Sequence, residues 1–531
     1  MARVIRRREF LARSGFLAGA AALMCRPTLG AITEHSIASD ACGISFETTD
    51  PSLQSHYQSA LDLLAANVQR MPGYKEPVLI EGSVYRGIWL ECGPHEGLVY
   101  SAIRPDVARN NHLAFFDLQR EDGQLPCNVK LTEVGHGQIQ MVVPIAATAW
   151  EICRQTHDSQ LLEAAYSSCS RWDAWLRKYR DTRHTGLCEG FCTFDTGHDN
   201  SPRWAGIPNR CPDGDARRCP PLPSLPRLCP DLSATVYGGR VALAAMARAL
   251  GSDSEADNWL ELATTIRHLI LDRLYDPADA AFCDLDAQKQ FVRIRGDVIS
   301  RVLGEHVVSQ ELFEAIYRRQ IHNPSAFWAP YPLPSIALDD PHFVRPIPRN
   351  SWGGASQALT ALRVTRWMEH YKKPADLAHL MQQWVDALLR APDFRQQLDP
   401  LTGVFTEDPP GYSPAALVLV DFTWRLAGVR NVGDDLEWNV RPPAANIHAR
   451  FHLRVNPALT AEIRYESGRA QLFLNSHRIL TTNSVVRLTT TERGEFRTAV
   501  GIVPQKSMVV LHQVHLPPRT FSIDANATVY M

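Results

Sequence analysis

The feature that most constrains the fold is a helical repeat of apolar residues that runs from residue 52 to about residue 428. Similar apolar stripes, with a spacing of three to four residues, recur along this whole stretch. Short connections and long connections rich in proline and glycine alternate between them. Antiparallel helix pairs joined in this way form a ring, with the long loops gathered on one face. We therefore predict a mainly α, α-hairpin toroid. The clearest stripe consists of Leu162, Tyr166, Cys169, Trp172, Leu176 and Tyr179.

After Gly428 the apolar pattern changes from the helical period to strict alternation. Phe451, Leu453 and Val455 alternate with polar residues, which is typical of a half-buried strand. We expect a C-terminal β-rich, sandwich-like domain over residues 435–531. The linking stretch 428–435 is short, so the two parts should pack together.

The N-terminus carries an export signal. Arg7-Arg8-Glu9-Phe10-Leu11 is a twin-arginine pattern, and a short apolar stretch follows at residues 16–24. We therefore expect residues 1–30 to be a twin-arginine signal peptide and residues 31–51 to be a lead segment before the toroid. This predicts a periplasmic or secreted protein that is exported in the folded state.

Charge and composition exclude several classes of function. The 531 residues include 55 Lys and Arg against 57 Asp and Glu, so the basic excess of a nucleic-acid-binding protein is missing. No apolar run reaches the length of about 18 residues that a membrane span needs. Nucleotide-binding glycine motifs and the serine-nucleophile elbow are also missing. We predict neither a nucleic-acid partner nor a membrane span. The oligomeric state is left open.

Five cysteines crowd into one proline-rich stretch. An exported protein lies where disulfides persist, so bridges within this segment are the favoured interpretation. A zinc site is the alternative, but no two of these cysteines have CxxC spacing. We predict disulfides here. The cysteines are Cys188, Cys192, Cys211, Cys219 and Cys229.

The most specific stretch is Thr196-Gly197-His198-Asp199-Asn200-Ser201-Pro202-Arg203-Trp204. It is a polar loop that ends in an aromatic residue, as a wall of a sugar pocket would. A carboxylic acid in such a pocket has a raised pKa and can give a proton to a leaving oxygen. The alternative for Asp199 is a turn or helix-capping residue.

This stretch resembles the GMDNSPRW motif of glycoside hydrolase family 63 and is similar to the related motif of the trehalases. The resemblance, of the mannosylglycerate hydrolase-like type, implies an (α/α)6 six-hairpin toroid over 52–428 and an inverting mechanism without metal or cofactor. It gives Asp199 the role of general acid and makes Asn200, Arg203 and Trp204 sugar-binding residues. Gln140, which begins a segment similar to the family's Gln-Pro-Pro helix, is a further candidate for substrate binding.

Two departures from the family pattern put the general base in question. By the match of residues 394–403, Gln396 stands where the family has its catalytic Glu, and a neutral amide cannot take a proton from water. Gly353 replaces a family arginine, while Trp352 is retained as a sugar-binding residue. Inversion needs a second carboxyl about 6.5–9.5 Å from the acid. The candidates are Glu96, Glu91 and Glu407, although a salt bridge or a cap near a Gly-Pro turn would also explain Glu91 and Glu96.

Two further groups of residues, one aromatic and one of histidines, are candidates for the site. Trp328 and Tyr331 lie in an aromatic and proline-rich loop and could stack on a sugar face or plug the end of the toroid. His136 and His198 are interpreted as hydrogen-bonding pocket residues rather than metal ligands.

Together these observations predict an exported glycoside hydrolase, with a carbohydrate as its binding partner, that cleaves a terminal sugar from an oligosaccharide or glycoside. Four alternatives stay open. They are a non-catalytic carbohydrate-binding protein, a polysaccharide lyase, a phosphorylase in which anionic phosphate needs no base, and a purely structural role for the helical ring.

Overall fold

A computed structural model describes residues 43–531, so the predicted signal peptide at 1–30 lies outside the described residues. Twelve α-helices fall within these residues, and several begin with proline in the first turn, where its missing N–H costs nothing. They are α1 (Pro51–Ala66), α2 (Gly93–Tyr100), α3 (Pro105–Asp117), α4 (Ile145–Thr156), α5 (Ser159–Tyr179), α6 (Pro230–Ala249), α7 (Asp253–Arg273), α8 (Val298–Gly304), α9 (Gln310–Ile316), α10 (Ala358–Met368), α11 (Pro374–Arg390) and α12 (Ser413–Ala427).

The helices form a closed double ring. Helices α2, α4, α6, α8, α10 and α12 contact one another in that order, and α12 contacts α2 to close the inner ring. The other six helices pack outside, with α1 against α12. This is the predicted mainly α, (α/α)6 toroid. The inner helix α12 is buried along almost its whole length, which fits its nearly unbroken apolar sequence from Pro414 to Phe422.

Short strands edge the loops that lead into the inner helices. They are β2 (Val68–Met71), β3 (Tyr74–Leu79), β4 (Gly87–Trp89), β5 (Asn128–Lys130), β6 (Val134–Gly135), β7 (Glu189–Gly190), β8 (Arg227–Leu228), β9 (Tyr275–Asp276), β10 (Ala281–Phe282), β11 (Asp284–Leu285), β12 (Phe291–Val292), β13 (Ser356–Gln357) and β14 (Gln397–Leu398). Their antiparallel pairings tie distant loops together, for example β13 with β14. These ties fix the loops that build the site described below.

The remaining strands form two antiparallel sheets. One has seven strands in the order β1-β17-β18-β19-β20-β23-β24, and the other has five in the order β15-β16-β21-β22-β25. Their buried faces belong to one apolar core. The strands are β1 (Ile44–Thr48), β15 (Val429–Val432), β16 (Asp435–Val440), β17 (Ala449–Asn456), β18 (Leu459–Glu466), β19 (Arg469–Leu474), β20 (His477–Thr482), β21 (Val486–Thr491), β22 (Phe496–Val500), β23 (Ser507–Gln513), β24 (Arg519–Ile523) and β25 (Thr528–Tyr530).

The strand β1 lies in the lead segment 31–51 but belongs to the C-terminal sheet. It pairs with β17 from Ile44 opposite Leu453 to Thr48 opposite Ala449. The first described strand and the last hundred residues are therefore one structural unit, which local sequence patterns do not reveal. None of the helices within residues 43–531 has both the length and the apolar character of a membrane span.

The prediction of disulfides in the segment 188–229 is wrong for this structure. All five cysteines there are thiols, and Cys192 and Cys211 hold their Sγ atoms 3.7 Å apart, against the roughly 2.05 Å of a bond. The segment is fixed instead by Arg180. Its fully buried guanidinium pairs with Asp195 at 2.5 Å and donates to the Ala216 carbonyl at 3.0 Å. This buried ion pair, with its hydrogen bonds, holds the segment together in place of the disulfides that the cysteine spacing suggested.

Candidate active site

One polar cavity of about 180 Å³ opens among the loops that precede the inner helices. The side chains that line it come from loops in different parts of the ring, so the cavity exists only when the toroid is closed. Three carboxyls, five amides and five aromatic rings line it. They are Glu81, Glu91 and Asp199, then Asn128, Gln138, Gln140, Asn350 and Gln396, then Tyr85, Trp89, Phe194, Trp352 and Tyr412.

Asp199 lies in this cavity on the loop between α5 and α6. Its Oδ2 accepts a hydrogen bond of 3.3 Å from Asn350 Nδ2, and its backbone carbonyl accepts one of 3.0 Å from the Trp352 N–H. Burial, reinforced by the negative charge of Glu91, raises the pKa of Asp199 to about 7. The Asp199 carboxyl is therefore able to hold a proton near neutral pH, as a general acid must.

A buried ion network holds the Asp199 loop from behind. Arg203 binds Asp231 at 2.7 Å and Asp284 at 2.5 Å, and its Nη1 lies 2.9 Å from His198 Nδ1. His198 Nε2 lies 2.6 Å from Asp297. Burial lowers the pKa of His198 to about 4, so its ring is neutral at neutral pH. Charge and geometry thus fix the loop on both sides of Asp199.

Arg203 and Trp204 therefore do not line the cavity, in contrast to the expectation that they bind sugar. The Arg203 guanidinium is fully engaged with carboxylates, and Trp204 is 2% exposed with its Nε1 donating to Thr196 Oγ1 at 2.9 Å. Asn200 also differs from the expectation, because its side-chain amide donates to the Asn350 carbonyl at 2.8 Å outside the cavity. All three residues shape the loop rather than contact a ligand.

Glu91 lines the same cavity, between β4 and α2. Its Oε2 lies so close to Gly197, whose φ is +62°, that a Cβ on that glycine would meet the oxygen at 1.5 Å. This Oε2 has no hydrogen-bond partner among residues 43–531. Burial raises the pKa of Glu91, whereas the guanidinium groups of Arg363 and Arg301 and a hydrogen bond from Gln140 act in the opposite direction. Glu91 thus has a free oxygen and the cationic support that an ionised carboxyl needs.

The other expected carboxyls lie away from the cavity. Glu96 sits on α2 with no exposed surface, and burial raises its pKa to about 7. The Gly-Pro sequence that suggested a turn is the first turn of this helix, which turns Glu96 into the protein. Glu407 is exposed on the loop between α11 and α12 and does not line the cavity. Neither carboxyl can reach a ligand in the cavity as it stands.

Glu81 is a cavity carboxyl that the sequence did not reveal. Its Oε1 accepts a hydrogen bond of 2.7 Å from the Tyr412 hydroxyl, 331 residues away in the chain. Burial, together with the charges of Glu96 and Glu91, raises its pKa well above the usual range. No local motif marks Glu81, because its position depends on the pairing of Gly82 with Tyr412 across the ring.

Gln396 lines the cavity in a chain of amides and hydroxyls. Its Nε2 donates to Asn350 Oδ1 at 3.1 Å, and its Oε1 accepts from the Tyr85 hydroxyl at 3.1 Å. Asn350 in turn donates to Asp199, so the position of the family's base is linked to the acid through one side chain. Asn350 is a further site residue that sequence reasoning missed, although it stands two residues before Trp352 in the stretch that resembles the family.

Trp328 and Tyr331 also lie outside the cavity. Trp328 packs on the His379 ring at 5.9 Å, and the Tyr331 hydroxyl accepts a hydrogen bond of 2.5 Å from Arg390. Both contacts are to α11, so this loop packs against the outer ring instead of offering a stacking surface. His136 likewise does not line the cavity.

Two groups of three potential metal ligands lie within residues 43–531, and arginines occupy both. The group of Cys192, Asp195 and Cys211 surrounds the carboxylate that Arg180 binds. The group of Cys229, Asp231 and Asp284 uses the two carboxylates that Arg203 binds. A guanidinium at each centre supplies the positive charge that a metal would bring, so neither group fits a metal ion.

Residues 94–424, more than half of the chain, match the family model described as the Mannosylglycerate hydrolase MGH1-like glycoside hydrolase domain. The chain belongs to this family. It is a glycoside hydrolase, as the resemblance around Asp199 implied. No curated protein matches the chain in sequence.

Solved structures of glycosidases share the fold of this family member. The GH63 mannosylglycerate hydrolase of Thermus thermophilus is 18% identical, with 69% of this chain and 100% of that chain covered and a TM-score of 0.57. The neutral trehalase of Saccharomyces cerevisiae is 13% identical over 68% of this chain and 80% of its own, with a TM-score of 0.52. The GH78 rhamnosidase of Bacillus sp. GL1 is 12% identical over 81% and 41%, with a TM-score of 0.55.

Proposed function

We propose that the protein is an exported, inverting glycoside hydrolase that removes a terminal sugar from a small glycoside. The observation that carries the proposal is the pairing, in one cavity, of a carboxyl that holds its proton with a carboxyl that has cationic support. Asp199 is the first, with a pKa of about 7, and Glu91 is the second. Burial raises the pKa of both carboxyls, but the guanidinium groups near Glu91 favour its ionised form, which is the form that a base needs.

In the proposed reaction, Asp199 donates its proton to the glycosidic oxygen as the bond to the anomeric carbon breaks. A water oxygen bonds to that carbon from the opposite face, and the Glu91 carboxylate accepts the proton that this water loses. The products are the free alcohol and a sugar of inverted configuration. Asp199 is left ionised and Glu91 protonated, and exchange with solvent restores both. Gln396 has a donor and an acceptor for the sugar or the water but takes no proton.

The charges at the cavity support a proposal for the substrate class. Lys130, which pairs with Glu133 at 2.7 Å, and the exposed Arg210 line the cavity together with the carboxyls. The carboxyls of the cavity would bind the hydroxyls of a neutral sugar, and the two cationic residues beside them would bind a small carboxylic acid linked to that sugar. Both the family and the Thermus enzyme are named for mannosylglycerate, so we propose a glycosyl glycerate or a glycoside of a similar acid as substrate.

The proposal is tested by following hydrolysis of mannosylglycerate and related glycosides by proton NMR. The first sugar product should have the inverted anomeric configuration. Asp199→Asn should lower kcat by about 10²–10⁴ on natural leaving groups and much less on a glycosyl fluoride, which needs no proton from the enzyme. No turnover of any glycoside would overturn the proposal, and an unsaturated product would favour a lyase.

Glu81 is the rival for the role of base, since it faces the same cavity. Glu91→Gln and Glu81→Gln are a matched pair of variants that remove one charge each without changing shape. If Glu91 is the base, azide should restore activity to Glu91→Gln and form a glycosyl azide, whereas Glu81→Gln should keep its base. Rescue of Glu81→Gln alone would move the role to Glu81.

Phosphorolysis is the second candidate, favoured by the amide at position 396. Adding inorganic phosphate to the reaction distinguishes the two functions. A phosphorylase releases a sugar phosphate and stops when phosphate is removed, whereas the proposed hydrolase continues at the same rate.

Export through the twin-arginine route is the remaining part of the proposal, and it rests on the sequence Arg7-Arg8-Glu9-Phe10-Leu11. Cell fractionation should find the protein outside the cytoplasm. The double substitution Arg7→Lys and Arg8→Lys should retain it inside, while Arg3→Lys serves as the control. Unchanged export of the double variant would overturn this part alone.

A further inference from the structure

Three hydrogen bonds join Tyr85 to Asp199, and all three point the same way. The Tyr85 hydroxyl donates to Gln396 Oε1 at 3.1 Å, and Gln396 Nε2 donates to Asn350 Oδ1 at 3.1 Å. Asn350 Nδ2 then donates to Asp199 Oδ2 at 3.3 Å. Each amide accepts with its oxygen and donates with its nitrogen, so this amide chain has one direction, toward the carboxyl.

The chemistry of Asp199 accounts for the direction of the amide chain. Once the carboxyl has given up its proton, it can only accept hydrogen bonds, so it needs a donor beside it. Asn350 Nδ2 is such a donor before and after proton transfer. If the amide were turned round, its oxygen would face an ionised carboxylate and the two would repel each other. The observed direction therefore suits both protonation states of the acid.

The backbone of Asn350 is held on both sides. Its N–H donates to Asp408 Oδ1 at 2.9 Å, and its carbonyl accepts from Asn200 Nδ2 at 2.8 Å. Its φ is +46°, in the left-handed region that asparagine tolerates better than most residues. Asparagine thus meets two demands at this position, the backbone conformation and a side chain with both a donor and an acceptor.

The segments that carry the amide chain are tied to one another. The Ser351 N–H donates to Gln397 Oε1 at 2.9 Å, and β13 pairs with β14. The Trp352 N–H donates to the backbone carbonyl of Asp199 at 3.0 Å. These ties hold the amide of Asn350 between its two side-chain partners.

We propose that Asn350 and Gln396 are positioning residues that keep the catalytic proton of Asp199 on Oδ1. Asn350 already places an N–H against Oδ2, so the proton of the acid is left on the other oxygen. Oδ1 has no hydrogen-bond partner among residues 43–531 and is free to meet the glycosidic oxygen. This inference rests on the proposed role of Asp199 as general acid.

The amide chain also explains why position 396 holds an amide. An ionised glutamate there, as in the family, could only accept and could not donate to Asn350 Oδ1. It would attract Asn350 Nδ2 instead and turn the amide oxygen toward Asp199. Gln396 therefore serves the acid and is more than a base position that has lost its charge.

The first test is a titration that needs no turnover. The protein is labelled with carbon-13 at its aspartate carboxyls, and the Asp199 signal is the one missing from Asp199→Asn. Asn350→Gly removes the amide but keeps the left-handed backbone. Burial raises the pKa of Asp199, and the hydrogen bond from Asn350 acts in the opposite direction. Without that bond the pKa should rise by about 0.5–1, and an unchanged titration would overturn the proposal.

Asn200→Gly is the matched control. Asn200 is exposed, follows Asp199 directly and has a φ of +54°, and its amide binds the Asn350 backbone without contacting the acid's carboxyl. The titration of Asp199 should stay unchanged in this variant. An equal rise in both variants would show a loosened loop and overturn the proposal. Both variants retain the other charged and titratable groups of the cavity, which are Glu81, Tyr85, Glu91, Lys130, Arg210 and Tyr412.

The second test separates proton donation from the rest of the reaction. Asn350→Gly should lower kcat about tenfold on glycosides with poor leaving groups, which is part of the 10²–10⁴ that a general acid supplies. A glycosyl fluoride should react at the wild-type rate, and equal losses on both substrates would overturn the proposal. If the wild type turns over no glycoside, the proposed function fails, while the titration still decides whether Asn350 acts on the carboxyl.

Gln396→Glu tests the far end of the amide chain and decides the proposal if Asn350→Gly does not fold. The variant keeps the shape of the side chain and removes the donor to Asn350. We expect kcat on natural glycosides to fall, because the acid loses its correctly turned amide. A gain in kcat would identify position 396 as a vacant base position and overturn the role of its amide.

Discussion

At the scale of single residues, the raised pKa of Asp199, which its proposed function requires, is expected to lower the stability of the folded protein at high pH. Its pKa is about 7 in the folded protein and near 3.8 in an unfolded chain. The folded state therefore holds the extra proton between these values, and stability is lost as the pH rises through about 7.

Asp199→Asn cannot titrate, so its advantage should appear only where the wild-type carboxyl is forced to ionise. Because Asp199 is only partly buried, we expect the variant to gain about 1–3 kcal/mol over wild type at pH 8 and close to nothing at pH 4. Urea unfolding at the two pH values measures the difference. An equal effect at both would contradict the raised pKa.

The same carboxyl sets the pH dependence of catalysis. Asp199 must be protonated to act as the acid, so kcat/KM should fall as the pH rises through about 7. The fall should largely disappear with a glycosyl fluoride, for which no proton is required. Activity on natural glycosides that stays constant up to pH 9 would remove Asp199 from this role.

At the scale of elements, the loop of residues 196–204 depends on one arginine. Arg203→Gln leaves Asp231 and Asp284 buried without their cation, which should cost about 3–5 kcal/mol of unfolding free energy. Arg217→Gln, which breaks an exposed pair with Asp215, should cost less than about 1 kcal/mol. Urea denaturation of both variants provides the comparison, and equal costs would refute the importance of the buried network.

The sequence predicts elements well where a single helix carries its own pattern. Long helices such as α5, α11 and α12 fall where their apolar stripes indicate, whereas the Gly-Pro start of the short α2 wrongly suggests a turn. The site is predicted where a motif is local, as at Asp199. It is not predicted where a role depends on distant partners, as for Glu81 beside Tyr412 or Arg203 between Asp231 and Asp284.

At the scale of the whole molecule, Glu369 links the helical ring to the β region. It caps the end of α10 and binds Arg487 of β21 at 2.7 Å and Arg430 of β15 at 3.4 Å. Glu369→Gln leaves the guanidinium groups of Arg487 and Arg430 with Glu437 as their remaining carboxylate partner and should cost about 1–3 kcal/mol. The control Glu492→Gln, at an exposed carboxyl, should change little.

Calorimetry tests whether this link makes the two regions unfold together. We expect one transition for the wild-type protein and a broader or divided one for Glu369→Gln, since the coupling between the regions is weakened. Two separate transitions in the wild type would show that the regions unfold independently.

The pairing of β1 with β17 has a consequence for biosynthesis. The partner of Ile44–Thr48 leaves the ribosome some 400 residues later. Until then β1 lacks its partner in the seven-stranded sheet, and a nascent chain that stalls early keeps this strand unpaired. This pairing can form only after the whole helical ring has been synthesised, so the ring is made before its first strand finds its partner.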